Sequence, residues 1–323
     1  MKNVVYYDTG KETEFKPNAL FEKYLKLLKV DLIKEFKSPR IKLSQCPACR
    51  SKRKTEAFVK FGYSYNECLA CGSVYMSPRP SDEDLKTHYL TSVSAKYWRE
   101  TLSEATLKKR KEKIYENRFQ WMYEVLKENK PEASSIADFN SRNQAFSNEF
   151  MNWSEISQKA IVNPYFISEI DSDYTKGSFD AVCAFEIIDN TSDVEQLLRN
   201  INSALKEGGI CFLTTISISG FDLQVLWRNS QSIFPIDRIN IFSKKGIEIL
   251  VARNGFNILE YSTPGILDVD KVKNSLKNNP KIDIPRFIRT LMETGSDQTL
   301  SDFQEFLQIN KLSSFARLVI KKK

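Results

Sequence analysis

Four cysteines constrain this chain more than any other feature. They fall as Cys46-x2-Cys49-x18-Cys68-x2-Cys71, two matched pairs within 26 residues. Each pair sits in a short turn, Cys46-Pro-Ala-Cys-Arg50 and Cys68-Leu-Ala-Cys-Gly72. Such a turn aims two sulfurs at one point, and two turns facing each other make a tetrahedral S4 site for zinc. Four protein ligands leave no open position, which predicts a structural metal and not a catalytic one. A redox dithiol would place one CxxC at a helix start, not two matched pairs. Residues 57–61 and 63–67 read as the strands of a hairpin between the pairs, and 74–76 as a third strand: a zinc ribbon. So small a module draws much of its folding free energy from the metal.

Metal binding accounts for these cysteines better than disulfides do, because nothing in the chain suggests secretion. Residues 1–14 are polar, without an apolar signal region, and no apolar run approaches the roughly 18–20 residues that span a bilayer. The expectation is a reducing, cytoplasmic setting. Cys183 and Cys211 lie in apolar runs and read as small buried residues. The formal charge of +7 gathers in residues 108–113 (KKRKEK) and in the tail, 321–323. The first run lies on a polar helix pattern, where a solvated face is the usual meaning. No basic stretch interleaved with aromatics accompanies it, so nucleic acid is the weakest partner class.

A length of 323 residues suggests two or three folding units. We divide it as a helical N-terminal segment over 1–43, the ribbon over 44–80, a helical linker or lid over 81–132 and a final domain over 133–323. Leu20, Phe21, Tyr24, Leu25, Leu28 and Leu32 form one stripe of a helix within 15–39. Ser77-Pro-Arg-Pro80 breaks structure, and Ser81 with Asp84 marks a helix start. Residues 101–129 read as a long helix with Ile114, Tyr115, Phe119, Met122, Val125 and Leu126 inward. His88, the single histidine, reads as a packing or surface residue. From Ser134 onward, strands (136–139, 160–163, 179–186, 210–216, 256–262, 315–321) alternate with helices (194–205, 244–254). That alternation predicts an α/β fold with a parallel sheet covered on both faces, and ligands beyond the carboxyl ends of its strands.

Two stretches, Phe179-Asp-Ala-Val-Cys-Ala-Phe-Glu186 and Leu205-Lys-Glu-Gly-Gly-Ile-Cys-Phe-Leu-Thr-Thr215, resemble the second half of a class I S-adenosylmethionine-dependent methyltransferase. So do Phe242-Ser243, Gly255-Phe256 and Thr263-Pro-Gly-Ile-Leu-Asp268. The order of ribbon, Ser-Pro-Arg-Pro and α/β domain is similar to a bacterial subgroup with an N-terminal zinc-binding region, often linked to sugar or surface-polysaccharide biosynthesis. The resemblance covers roughly residues 44–323. It implies a Rossmann-like sheet of seven strands, the last one antiparallel, with a helical insertion at about 266–312. It also implies S-adenosylmethionine as cofactor and a sugar-type small molecule, or an enzyme of that pathway, as partner.

The cofactor half departs from the family pattern. The family's first strand ends in an acid followed by a glycine-rich turn, since glycines let the backbone bend and approach the cofactor. Here Asp138 supplies the acid, but the glycine positions read Asn140, Arg142 and Gln144. The acid expected to hold the ribose hydroxyls is Asn163, which loses the charge-assisted bond. The candidate cofactor-facing residues are therefore Asp138, Asn140, Asn163 and Glu186. The family's Glu-His pair reads Asp189-Asn190, and a later histidine reads Arg238. These three are the candidate catalytic positions, yet neither Asn190 nor Arg238 acts as a general base near neutral pH. The residues point to a methyltransferase fold repurposed for binding or scaffolding, a pseudoenzyme. An active methyltransferase with an atypical site and a nucleic-acid methyltransferase or binder are the alternatives.

Overall fold

The computed structural model describes residues 11–35, 41–139, 144–162 and 176–323. The chain opens with a short helix α1 (Glu12–Phe15) and helix α2 (Asn18–Glu35). Phe21, Tyr24, Leu28 and Leu32 of α2 recur at helical spacing and are buried. Then come β1 (Lys54–Lys60), β2 (Tyr63–Cys68) and β3 (Val74–Met76), an antiparallel meander carrying the cysteine turns at its ends. Helix α3 (Asp82–Thr91) starts on a capping box between Ser81 and Asp84. It holds His88, which is buried against Tyr89.

The next helical stretch starts earlier than the pattern predicts and is interrupted. It runs as α4 (Val93–Tyr97), a π segment (Trp98–Ser103), α5 (Glu104–Arg110), a second π segment (Lys111–Tyr115) and α6 (Glu116–Asn129). The basic run within it is mostly used internally. Lys109 pairs with Glu112, Lys111 with Glu149 and Lys113 with Glu14, while Arg110 donates to the Phe15 carbonyl.

The remaining elements are β4 (Ser135–Asp138), α7 (Gln144–Asn152), β5 (Gln158–Ile161), β6 (Phe179–Phe185), α8 (Val194–Ala204), β7 (Leu205–Ile216) and α9 (Phe221–Leu226). They continue as β8 (Asn240–Ile241), α10 (Lys244–Arg253), β9 (Phe256–Ser262), α11 (Asp268–Asn278), α12 (Arg286–Thr294), α13 (Asp297–Ile309) and β10 (Phe315–Lys322). Among the described residues the main sheet has six strands in the order β5-β4-β6-β7-β10-β9. The pairs β4–β5, β4–β6 and β6–β7 are parallel, and β10 runs antiparallel to both β7 and β9. The final strand alone opposes the rest, as expected for the Rossmann-like methyltransferase fold. Residues 163–175, between β5 and β6, lie outside the described residues.

Every residue of β6 is buried, because helices cover both faces of the sheet. On one face α8 presents Leu197, Leu198, Ile201 and Ala204 at helical spacing, each 1% exposed or less. Burying one such leucine stabilises the fold by about 1.5–3 kcal/mol. On the other face Trp121, Met122 and Val125 of α6 pack over Phe185 and Phe212. Cys183 and Cys211 are buried strand residues, as their apolar context predicts.

The cysteine meander is not a detached module. Its sheet takes a fourth strand from the far side of the chain, with Val74 opposite Ile241 and Tyr75 opposite Asn240. Arg79, fully buried, reinforces this seam. It donates to the carbonyls of Met76, Ser192 and Ile239 and so ties β3, the loop before α8 and the approach to β8 together.

Candidate functional site

The two cysteine turns fold alike because their hydrogen bonds are alike. Arg50 N–H donates to the Cys46 carbonyl at 2.9 Å, and Gly72 N–H donates to the Cys68 carbonyl at 2.7 Å. Both turns need a left-handed residue after the second cysteine, met by Arg50 at φ 60° and Gly72 at φ 74°. The sulfurs of Cys46, Cys49, Cys68 and Cys71 consequently lie within 4.8 Å of one another. Cys46 Sγ is 3.7 Å from Cys71 Sγ, and Cys49 Sγ is 3.5 Å from Cys68 Sγ. A zinc–sulfur bond of about 2.3 Å gives tetrahedral sulfur–sulfur edges of about 3.8 Å, so the four residues fit the ion. The hydrogen bond between the Cys46 and Cys71 sulfurs holds Cys71 down at about 4 and, with burial, pushes Cys46 up.

This cluster abuts the start of α10. Ser243, the N-cap of that helix, accepts from Gly246 N–H and donates to the Cys71 carbonyl at 2.5 Å. Its own N–H donates to Ser73 Oγ at 3.1 Å. Gly246 is required here, since a Cβ would fall on the Ser73 hydroxyl and press on Ala48.

A second group of polar residues gathers at the carboxyl ends of β6 and β7. Glu186 leaves β6 with a left-handed backbone at φ 57°, an uncommon choice for a residue with a side chain. Arg118 donates to its Oε1 at 2.6 Å, and Arg238 stands 3.8 Å from Oε2. Burial would raise the Glu186 carboxyl, but Arg118 and Arg238 outweigh it and hold it at about 2. Asp189 is fully buried, and Arg238 lies 3.3 Å away. Burial pushes this carboxyl up to about 6, against the pull of Arg238 and a hydrogen bond from Thr215. Asn190 closes the same turn by donating to the Glu186 carbonyl at 3.1 Å.

The structure thus brings Glu186, Asp189, Asn190 and Arg238 together. Asp138, at the carboxyl end of the adjacent strand β4, is fully buried. It accepts from Ser147 of α7 at 3.0 Å and from the Cys183 thiol at 3.7 Å. Asn140, Arg142 and Asn163 lie outside the described residues, as does the side chain of Gln144. Arg118 was missed by the sequence reading. Its signal was its place on the buried stripe of α6, three residues after Tyr115 and four before Met122, where a charge needs a partner.

The Arg238 segment is held from three sides. Tyr65 of β2 donates to the Arg238 carbonyl at 3.0 Å. Tyr89 of α3 and Tyr24 of α2 donate to the neighbouring Asp237 carboxylate at 2.8 and 3.3 Å. The Ile239 carbonyl accepts from Met76 N–H at 2.8 Å.

A family model described as a methyltransferase domain matches residues 107–261. No curated protein matches the sequence. Among solved structures, the chain is similar to an S-adenosylmethionine-dependent methyltransferase from Thermotoga maritima, at 14% identity, over 70% of this chain and 98% of that one, with a TM-score of 0.40. It is also similar to one from Archaeoglobus fulgidus, at 14% identity, over 67% and 98%, with a TM-score of 0.40. A third is a phosphoethanolamine N-methyltransferase from Haemonchus contortus, at 13% identity, over 77% and 62%, with a TM-score of 0.41. Likenesses this distant carry no argument about activity or ligand. The strand order gives the α/β part of this chain the Rossmann-like methyltransferase fold, and the matched methyltransferase model overlaps it.

Proposed function

We propose that this chain is a methyltransferase-fold protein that has given up methyl transfer and serves a sugar or surface-polysaccharide pathway as a binding or scaffolding protein. One observation carries the reading. Arg238 occupies the position where relatives carry a histidine, and it is ion-paired to Asp189 with Glu186 beside it. A guanidinium keeps its protons, so no general base stands there. Glu186 is likewise engaged by Arg118, and both carboxylate oxygens of Asp138 accept hydrogen bonds. With the glycine turn replaced by Asn140, Arg142 and Gln144 and the ribose acid by Asn163, the residues present do not fit S-adenosylmethionine as the family's own residues would. The sugar-type ligand, or a partner enzyme of that pathway, rests on the resemblance in the order of ribbon and domain.

The four cysteines hold a structural zinc in this reading, and the ribbon braces the segment that presents Arg238. A second reading, an active methyltransferase acting on a sugar or nucleotide sugar, has one observation in its favour: Asp189, at about 6, exchanges its proton near neutral pH. The nucleic-acid reading draws no support, since most of the basic run is spent in internal ion pairs. Among the described residues no helix is long and apolar enough to cross a membrane.

Calorimetric titration of the zinc-loaded protein with S-adenosylmethionine and S-adenosylhomocysteine separates the two main readings. We expect no heat of binding. Micromolar affinity for either molecule overturns the pseudoenzyme reading.

A further inference from the structure

A hollow of about 450 Å³ opens where the first cysteine turn meets α8 and the end of α10. Three arginines line it: Arg50 from the turn, Arg199 from α8 and Arg253 from the last residue of α10. They converge on one acid. Arg50 grips Glu195 with two bonds, through Nε at 3.1 Å and Nη2 at 2.5 Å. Arg253 pairs with the same carboxylate, and Arg199 lies 3.7 Å from it.

Glu195 offers two carboxylate oxygens to three guanidiniums. Each guanidinium has five donors in a planar fork, more than Glu195 can take up. A phosphoryl group matches these spare donors in bidentate geometry. The rest of the lining includes Ser203 and Asn202, whose amide donates to the Asn254 and Gly255 carbonyls. The volume lies within the range of small-molecule sites, about 300–1,000 Å³.

We propose that this hollow binds a small phosphorylated molecule through Arg50, Arg199 and Arg253. None of its lining residues belongs to the Glu186–Arg238 group, so the site is independent of the reading given above. Two of the three arginines are placed by the cysteine module. Arg50 is the left-handed residue of the first turn, and Arg253 donates to the Ala48 carbonyl within that turn. Zinc release therefore disperses the site, whereas Arg199, half exposed on α8, is free of that structural duty.

The test uses the full-length, zinc-loaded protein and pyrophosphate as the probe, by calorimetry at low salt. Sulfate at equal ionic strength is the control. We expect pyrophosphate to bind at or below about 1 mM, sulfate to bind at least about tenfold more weakly, and salt to weaken both. Arg199→Glu should weaken pyrophosphate by at least about tenfold with an unchanged thermal midpoint. Arg228→Ala, at an exposed arginine outside the hollow, should leave the affinity unchanged. Absence of binding, equal binding of sulfate, indifference to Arg199→Glu, or an equal loss in Arg228→Ala would each overturn the proposal.

Discussion

Tyr65, on a strand between the two cysteine pairs, donates its hydroxyl to the backbone carbonyl of Arg238 at 3.0 Å. The contact is buried at the tyrosine end and joins residues 173 apart. It links the module that the cysteines organise to the arginine that stands beside Glu186 and Asp189. Tyr65→Phe keeps the ring against Phe58 but strands the carbonyl. We expect a loss of about 1 kcal/mol of stability by urea denaturation. A variant as stable as the parent would show that water replaces the bond.

The metal has a direct measurement. Elemental analysis should find about one zinc per chain, and Cys68→Ser should lose it. Because β3 pairs with β8, the damage should not stay local. Hydrogen exchange should rise in residues 237–243 as well as in the ribbon. Exchange confined to the ribbon would contradict the coupling.

Gly246 gives a steric test of the same seam. Gly246→Ala places a methyl on the Ser73 hydroxyl and against Ala48, although a helix interior would otherwise favour alanine by about 1 kcal/mol. We expect net destabilisation of about 1–3 kcal/mol, as for overpacking. Ser73→Gly in the same chain should return part of it. A stabilised Gly246→Ala protein would refute the tight docking.

The buried carboxyls set opposing pH dependences. Asp189 and Asp268 titrate at about 6, against about 4 in an unfolded chain. A raised value in the fold means the fold holds the proton more tightly. Their contribution is full below about 4 and is lost as pH rises through 6. Glu186 and Asp180, both held at about 2, contribute fully above about 4 and lose that contribution as pH falls towards 2. Asp189→Asn should therefore flatten the fall in stability between pH 4 and 7 by on the order of 3 kcal/mol. Urea melts across that range measure it, and an unchanged slope would refute the assignment.

Much of this could be read from the chain. The spacing of Cys46, Cys49, Cys68 and Cys71 is a local constraint, so their convergence follows from short turns that need no distant partner. The run from Phe179 to Phe185 is apolar but for Asp180, and only a strand covered on both faces has use for that. The helix over 244–254 was legible from Gly255 beyond its end, whereas its Ser243 cap came from the structure. The π segments within 93–129 were not, because an extra residue in a helical turn leaves the apolar stripe nearly intact.

The seam belongs to the second class. Nothing in Val74 and Ile241 announces that they pair, since any apolar residue serves on either strand and the choice is made by packing. Arg118 and Arg79 read as ordinary cations in sequence, and Arg238 only as the residue standing in a histidine position. Their meaning comes from burial, which makes each one find an acid or a carbonyl across the chain. By itself the sequence determined the cysteine cluster and the class of sheet, which depend on spacing and period. Only the tertiary structure decided that the cluster braces the Arg238 segment, because that contact joins residues too far apart in the chain for any local pattern to record.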